Sequence, residues 1–360
     1  MRTLVFPDNG PKISNPYCEL LYRNMEQFGA STQGFTLWRA IFEKYEVFHL
    51  HWPEYYLAQS VSKAFIGTVG LLFSITWMRL RGTRIVWTAH NLHSHRLLYP
   101  RAERWFWNRL MPMLDGFIAL TEFSVTQVRA EFPMLQSTPA FVVPHGDYRG
   151  SYPKTVSGVE ARRKLGISAD KSVVLFFGGI FAYKNVPHLI DTFLRADLLD
   201  AVLLVAGAPS NAQEGRELTE LAKHDSRIQL HLRRIPDDEV QLFFAAADLA
   251  VLPFREILNS GSAVLALSFD RPVLVPALGS MPELRMRVGG DWVRTYPGEL
   301  NVPELQAAIA WARNSQRPVR PDLSDFDWSN IARDTVAVYK QLTDRISATA
   351  YASTAGTDIT

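Results

Sequence analysis

The sequence predicts an α/β protein made of two doubly wound, parallel-sheet domains that face a cleft. Three observations carry that prediction. The chain has 360 residues, and at about 150 residues per domain two domains are expected. Short apolar, β-branched runs alternate with longer helical patterns, as parallel strands covered by helices require. The alternation breaks once, at residues 144–158 (PHGDYRGSYPKTVSG), where Pro, Gly and Ser replace apolar periodicity, and then restarts.

In the first half, strands are expected at residues 3–6, 47–51, 85–89, 116–120 and 141–143, with helices at 17–28, 61–80, 101–113 and 123–132. In the second half, strands are expected at 173–178, 202–206, 228–232, 249–252 and 273–276, with helices at 186–196, 212–224, 237–247 and 260–268. The acids Asp237, Asp238 and Glu239 suit the positive end of their helix. The domains are therefore 1–150 and 151–327. A last helix, 328–346, follows the completed second sheet and either crosses back to the first domain or caps the second. Residues 347–360 are small and polar and are expected to be a disordered tail.

Composition narrows the function classes. Hydrophobic residues make up 47% and charged residues 21% of the chain, which excludes a disordered protein. A net charge of +2 excludes a nucleic-acid-binding polycation. Cys18 is the only cysteine, so neither an intramolecular disulfide nor a cysteine zinc site can form, and a reducing compartment fits. The N-terminus lacks the apolar run of a signal peptide, so a cytoplasmic location is expected.

The near-neutral total hides an imbalance. Residues 61–110 hold eight basic side chains and one acid, Glu103. Within them, residues 64–80 are uncharged until Arg79, at the short limit for a spanning helix. Spanning would tear that helix out of a sheet, which leaves a buried crossover helix or a helix lying on a membrane surface. The following RAERWFWNRLMPML (101–114) combines Arg101, Arg104 and Arg109 with Trp105, Phe106 and Trp107, a composition suited to anionic headgroups.

Candidate chemistry sits at strand ends, where doubly wound sheets bind ligands. His49 and His51 point to one face of their strand, followed by Trp52, Glu54 and Tyr55. A metal site there would need a third ligand that the spacing does not supply; a hydrogen-bonded structural histidine, polar recognition or proton transfer are the other readings. The next strand ends in His90-Asn91-Leu92-His93. In the second half, Gly178-Gly179 leads through Lys184 to a helix start, an arrangement suited to a diphosphate, though no Walker A sequence is present. Asn259-Ser260-Gly261-Ser262 opens another helix, where Asn259 or Ser260 can cap and the free N–H groups can hold phosphate.

Together these segments resemble the GT-B glycosyltransferases, enzymes of two Rossmann-like domains that use nucleotide sugars. The resemblance runs over roughly residues 1–345 through HLHW (49–52), TAHN (88–91), VVPHG (142–146), the Gly178 to Lys184 loop and AADLAVLP (246–253). It is more specific to the GDP-mannose:glycolipid β-mannosyltransferase family of xanthan assembly, through Asn15-Pro16-Tyr17, HLHWPEY (49–55), HGDYR (145–149), Tyr183-Lys184 and NSG (259–261). That resemblance implies an inverting mannosyl transfer from GDP-mannose to a lipid-linked oligosaccharide or glycolipid. It further implies an acceptor at the inner face of the cell membrane, and the basic, aromatic composition of residues 61–110 adds the expectation of a peripheral protein held by an anionic surface. The nucleotide sugar is a co-substrate; no cofactor, metal or nucleic acid is implied.

Under the resemblance, Gly178, Gly179, Lys184, Asn259, Ser260, Gly261 and Ser262 hold the donor. His49, His51, Trp52, Tyr55, Asn91, His145, Tyr148 and Arg149 belong to the acceptor side. Two departures stand out: Ile257 and Leu265 occupy the places of a glutamate pair typical of retaining relatives, and residues 179–183 lack an arginine, which Arg149 or Arg255 is expected to replace. Inverting transfer needs a base for the acceptor hydroxyl. Glu54 is the first candidate, Asp8 the second and His90 the third. A nucleotide-sugar epimerase of the same fold, or a non-catalytic nucleotide-sugar-binding partner, are the competing readings.

Overall fold

The computed structural model describes residues 1–7, 16–93, 98–314 and 316–354. The chain divides into two compact units, one of Met1–Gly146 with Phe326–Thr360 and one of Asp147–Asp325.

The first unit is a six-stranded parallel sheet of β1 (Arg2–Phe6), β2 (Ser31–Gly34), β3 (Val47–Leu50), β4 (Arg84–Ala89), β5 (Gly116–Ala119) and β6 (Ala140–Val142), in the order β2-β1-β3-β4-β5-β6. Its helices are α1 (Tyr17–Met25), α2 (Leu37–Phe42), α3 (Val61–Leu80), α4 (Pro100–Leu110) and α5 (Glu122–Glu131), closed by a C-terminal helix, Trp328–Thr354. Alternation along each strand feeds two cores. Leu4, Phe6, Phe48, Leu50 and Trp87 pack with Leu71 and Ile75 of α3 and Phe106 and Trp107 of α4. Val5, Val47, Val86 and Ile118 face the other way, onto Tyr17 and Leu21 of α1 and Ile331, Val336 and Tyr339 of the C-terminal helix.

The second unit holds β7 (Ser172–Phe177), β8 (Ala201–Ala206), β9 (Ile228–His231), β10 (Leu249–Val251), β11 (Val273–Pro276) and β12 (Val293–Tyr296), parallel and ordered β12-β11-β10-β7-β8-β9. Helices α6 (Gly158–Lys164), α7 (Val186–Arg195), α8 (Ala212–Ala222), α9 (Val240–Ala246), α10 (Gly261–Ser268), α11 (Met281–Val288) and α12 (Val302–Asn314) connect and flank these strands. The central strands read SVVLFF and AVLLVA, the continuous apolar runs of a sheet covered on both faces.

Strand order reverses between β1 and β3 in the first sheet and between β7 and β10 in the second. Loops leaving the carboxyl ends of those strands are where such sheets open to ligands.

Several expectations need correction. β2 and β12 had no apolar signal strong enough to read, because both are edge strands with polar members. The helix expected to end at 346 runs to Thr354, so the tail expected from 347 is helical as far as that residue, and 355–360 lie outside the described residues. Phe106 and Trp107 are core residues, which leaves Trp105 as the exposed aromatic of its trio.

Candidate functional site

The second unit gathers groups suited to an anion at its switch point. After β7 the chain turns at Gly178, whose φ of +127° only glycine adopts without strain. A Cβ there would lie 3.2 Å from Lys184 Nζ and 3.0 Å from Ser262 Oγ, so an ammonium from the turn after β7 and a hydroxyl from the first turn of α10 converge over one glycine. The loop after β10 is tied to the same place, because the Arg255 N–H donates to the Tyr183 carbonyl at 2.8 Å. Gly207, after β8, fits so closely against the Gly178 carbonyl that a Cβ would stand 1.9 Å from the oxygen.

Lys184 is buried and makes no ion pair among the described residues. Burial lowers its pKa from 10.5 to about 8. An ammonium held out of water with no counter-charge costs free energy that a bound anion would offset. At the start of α10, Ser260 Oγ accepts the Ala263 N–H at 3.1 Å, so the capping reading holds. The N–H groups of Gly261 and Ser262 precede the first intrahelical bond and point outward, at the positive end of the helix. Gly178, Lys184, Ser260, Gly261 and Ser262 thus form one constellation. Asn259 immediately precedes the capping residue.

Arg149 and Tyr148 lie elsewhere. Both belong to the second unit. The Tyr148 N–H donates to Ser268 Oγ, and Arg149 reaches Asp270 Oδ1 at 3.4 Å and donates to the Pro321 carbonyl at 2.9 Å. Ser268 and Asp270 mark the opposite end of α10 from Ser260. Arg149 therefore does not join Lys184, whereas Arg255 stays next to Tyr183.

In the first unit, the carboxyl ends of β3, β4 and β6 gather an imidazole and aromatic cluster. His90 stacks on Trp52 with ring centroids 4.4 Å apart, and Tyr17 places its ring edge-on 4.7 Å from His90 and 5.0 Å from His145. His51 Nδ1 lies 3.0 Å from His90 Nε2, while His51 Nε2 is buried with no partner among the described residues. A bare buried acceptor is better tolerated than an orphaned N–H. His51 therefore carries its proton on Nδ1 and donates to His90, which leaves His90 presenting Nδ1–H as a donor. Burial holds both pKa values well below 6.5, with neighbouring imidazoles adding to the effect. A neutral pair of this kind offers a hydrogen-bond donor to an oxygen.

His49 is fully buried with Nδ1 at 2.5 Å from Tyr339 Oη and Nε2 at 2.7 Å from Thr88 Oγ1. Both nitrogens are spent inside the core, so His49 reaches no ligand. Among the described residues, no group of three His, Cys, Asp or Glu is arranged to hold a metal ion.

Glu54 sits at the start of a 3-10 turn, Pro53–Ala58, and is 8% exposed. Burial, with a smaller push from Glu103, raises its pKa from 4.5 to about 8. Tyr55 beside it is half exposed, and Asn91 is partly exposed after β4. Asp8 lies outside the described residues. In sequence, Tyr17 stands out only as the end of the run Asn15-Pro16-Tyr17. Its central packing role arises from the start of α1 folding over the sheet end, which its isolated position in the sequence does not announce.

Comparison with known proteins follows this geometry. Residues 171–311 match the family model described as glycosyl transferases group 1. The GDP-mannose:glycolipid 4-beta-D-mannosyltransferase of Xanthomonas campestris pv. campestris is 31% identical over 339 residues, covering 92% of this chain and 90% of that protein. Among solved structures, sucrose-phosphate synthase from Thermosynechococcus elongatus aligns with a TM-score of 0.68 at 16% identity, covering 96% of this chain and 99% of its own. Anabaena HepE in complex with UDP-glucose aligns at 0.62 and 16% identity, covering 98% and 100%.

Proposed function

This chain belongs to the group 1 glycosyl transferases, with the two-sheet GT-B fold, and from that premise we propose that it moves a mannosyl group from GDP-mannose, with inversion, onto a lipid-linked oligosaccharide or glycolipid in cell-surface glycan assembly. The observation that carries this reading is Lys184, a buried cation with no ion pair among the described residues, converging with Ser262 on Gly178 at the switch point of the second sheet. A nucleotide diphosphate is the ligand class that such a site suits.

In the proposed step, the acceptor hydroxyl oxygen attacks the anomeric carbon while the bond from that carbon to the diphosphate oxygen breaks. The departing electron pair stays on the diphosphate, where Lys184 and the first N–H groups of α10 neutralise it. The hydroxyl proton goes to Glu54, whose pKa near 8 makes it a strong base once ionised. Trp52 and Tyr55 offer ring faces to sugars, and His90 Nδ1–H offers a hydrogen bond. The reading gives no role to a metal ion. It places the protein at the inner face of the cell membrane, where its lipid acceptor would lie, and the transferase names of its relatives favour transfer over epimerisation.

The test is incubation with GDP-mannose carrying labelled mannose, with and without a membrane glycolipid extract. Label moving into the lipid phase only when both are present is expected. Epimer formation without lipid, or transfer from UDP-sugars in preference to GDP-mannose, would overturn the reaction or the donor respectively.

A further inference from the structure

Helix α3 is apolar on two opposite faces, and among the described residues only one of them is buried. Leu71, Ile75 and Met78 are buried in the core beneath it. Val61, Phe65, Val69, Phe73, Trp77 and Leu80, spaced three and four apart, form a second stripe that is exposed. Phe65 and the adjacent Ile66 are 70% and 71% exposed. A helix apolar all round belongs inside a protein or a membrane. Next to it, α2 adds Trp38 and Phe42, in ring contact with centroids 4.0 Å apart and planes tilted by 39°, both exposed, and is tied to α3 by Trp77 Nε1 and Arg81 donating to the Ile41 carbonyl.

Charge complementarity says what covers this face. Lys63, Arg79, Arg101, Arg104 and Arg109 are exposed along α3 and α4, and the one acid in residues 61–110, Glu103, is buried. Arg81 and Arg109 lie over the rings of Trp77 and Trp105. Cations beside interfacial tryptophans around an apolar stripe suit anionic headgroups above hydrocarbon. Between α3 and α4 lies a groove of about 330 Å³, lined by Leu57, Ala64, Thr68, Tyr99, Ala102 and Trp105. Tyr99 turns its hydroxyl away to the Gln59 carbonyl at 3.3 Å. Although α3 has 20 residues, it leads into β4 in the middle of the sheet, so it cannot cross a bilayer without dismantling the unit.

We propose that the face formed by α2, α3 and α4 seats the protein on an anionic phospholipid bilayer, with α3 lying in the plane of the interface and the α3–α4 groove receiving one hydrocarbon chain. This deepens the reading of the acceptor as a glycolipid and rests on it. Burying a phenylalanine or isoleucine side chain is worth about 1.5–3 kcal/mol, so each tip contributes roughly tenfold or more in partitioning.

The experiment is co-sedimentation of the full chain with phosphatidylglycerol–phosphatidylethanolamine vesicles and with phosphatidylcholine vesicles, without donor or acceptor. Binding to the first, weakened by salt and at least tenfold lower for the Phe65→Asp/Ile66→Asp variant, is expected. Both positions are exposed, so that variant should fold; Lys63→Glu/Arg101→Glu provides a second variant that weakens binding to anionic vesicles only. Phosphatidylglycerol with brominated chains should quench Trp105, seen as a loss of quenching in Trp105→Phe. Equal binding to both vesicle types, unchanged binding by the variants, no Trp105 quenching, or self-association through this face in place of vesicle binding would each overturn the proposal. Transfer to a short-chain acceptor in detergent separates the two readings: docking can fail while transfer persists, and the transferase reading can fail while vesicle binding persists.

Discussion

Tyr339 of the C-terminal helix meets His49 of β3 in a hydrogen bond of 2.5 Å, between residues 290 apart in sequence. Thr88 Oγ1 takes the other ring nitrogen at 2.7 Å. A neutral imidazole satisfies both partners with one donor and one acceptor. Protonation would turn both nitrogens into donors inside a dry core, and burial accordingly lowers the His49 pKa to about 3.

Acid should therefore unfold the first unit through its histidines. The unfolded chain takes up these protons near pH 6.5, whereas native His49 resists until about 3 and His51 and His90 are also held well below 6.5. Their contribution is complete above pH 6.5 and is lost as pH falls below it. Thermal melts followed by circular dichroism should show Tm falling below pH 6.5, with a shallower slope in His49→Gln. Parallel slopes for the two proteins would refute this.

Lys184→Met should weaken donor binding by about 10- to 100-fold, the worth of a charge-assisted hydrogen bond of about 1.5–3 kcal/mol. The same change removes a buried uncompensated charge, so the ligand-free variant should melt several degrees higher. In the native protein, donor affinity should fall as pH rises through about 8, where Lys184 loses its proton. Titration calorimetry with GDP-mannose at a series of pH values, beside melting curves, checks all three.

Glu54→Gln should lower the transfer rate by about 10²- to 10⁴-fold while leaving donor affinity intact. Native transfer should rise with pH toward about 8 as Glu54 ionises. The stability sign is separate. Because the native pKa is raised from 4.5, Glu54 stabilises below pH 4.5 and that contribution is lost as pH rises through about 8. The glutamine variant should thus be the more stable protein at pH 9. Full turnover in Glu54→Gln would remove Glu54 as the base.

Gly207→Ala should be severely destabilising, by more than about 3 kcal/mol, because its Cβ would stand 1.9 Å from the Gly178 carbonyl oxygen and neither backbone can yield. Gly29→Ala, with open space around its Cβ, is the control for left-handed strain alone (φ +83°). Urea unfolding of the two variants measures the difference; equal losses would deny the close approach of the two loops.

Much of this was legible in the sequence where local pattern and burial agree. Helix Val61–Leu80 has the bounds that its apolar run predicts, and the alternation announces parallel strands; that Lys184 and Ser260–Ser262 meet follows from the order of those strands, which sets β7 beside β10 and which alternation alone does not give. Failures came where tertiary context decides. His49 and His90 look alike in sequence, yet one is spent on Tyr339 and the other faces the sheet end. Arg149 looked like a donor cation until Asp270 claimed it at the far end of α10. Trp38 and Phe42 gave no signal because α2 is six residues long, too short for a periodicity to register.

The second unit is an insertion within the first, since the chain leaves at Gly146 and returns at Phe326. Synthesis on the ribosome runs from the N-terminus. Asp147–Asp325 can therefore finish folding while the earlier sheet still lacks the helix that covers Val5, Val47, Val86 and Ile118. Until Tyr339 emerges, His49 has half its partners and that face of the sheet has only α1 to cover it. Truncation before Leu342 thus damages the part of the protein made first.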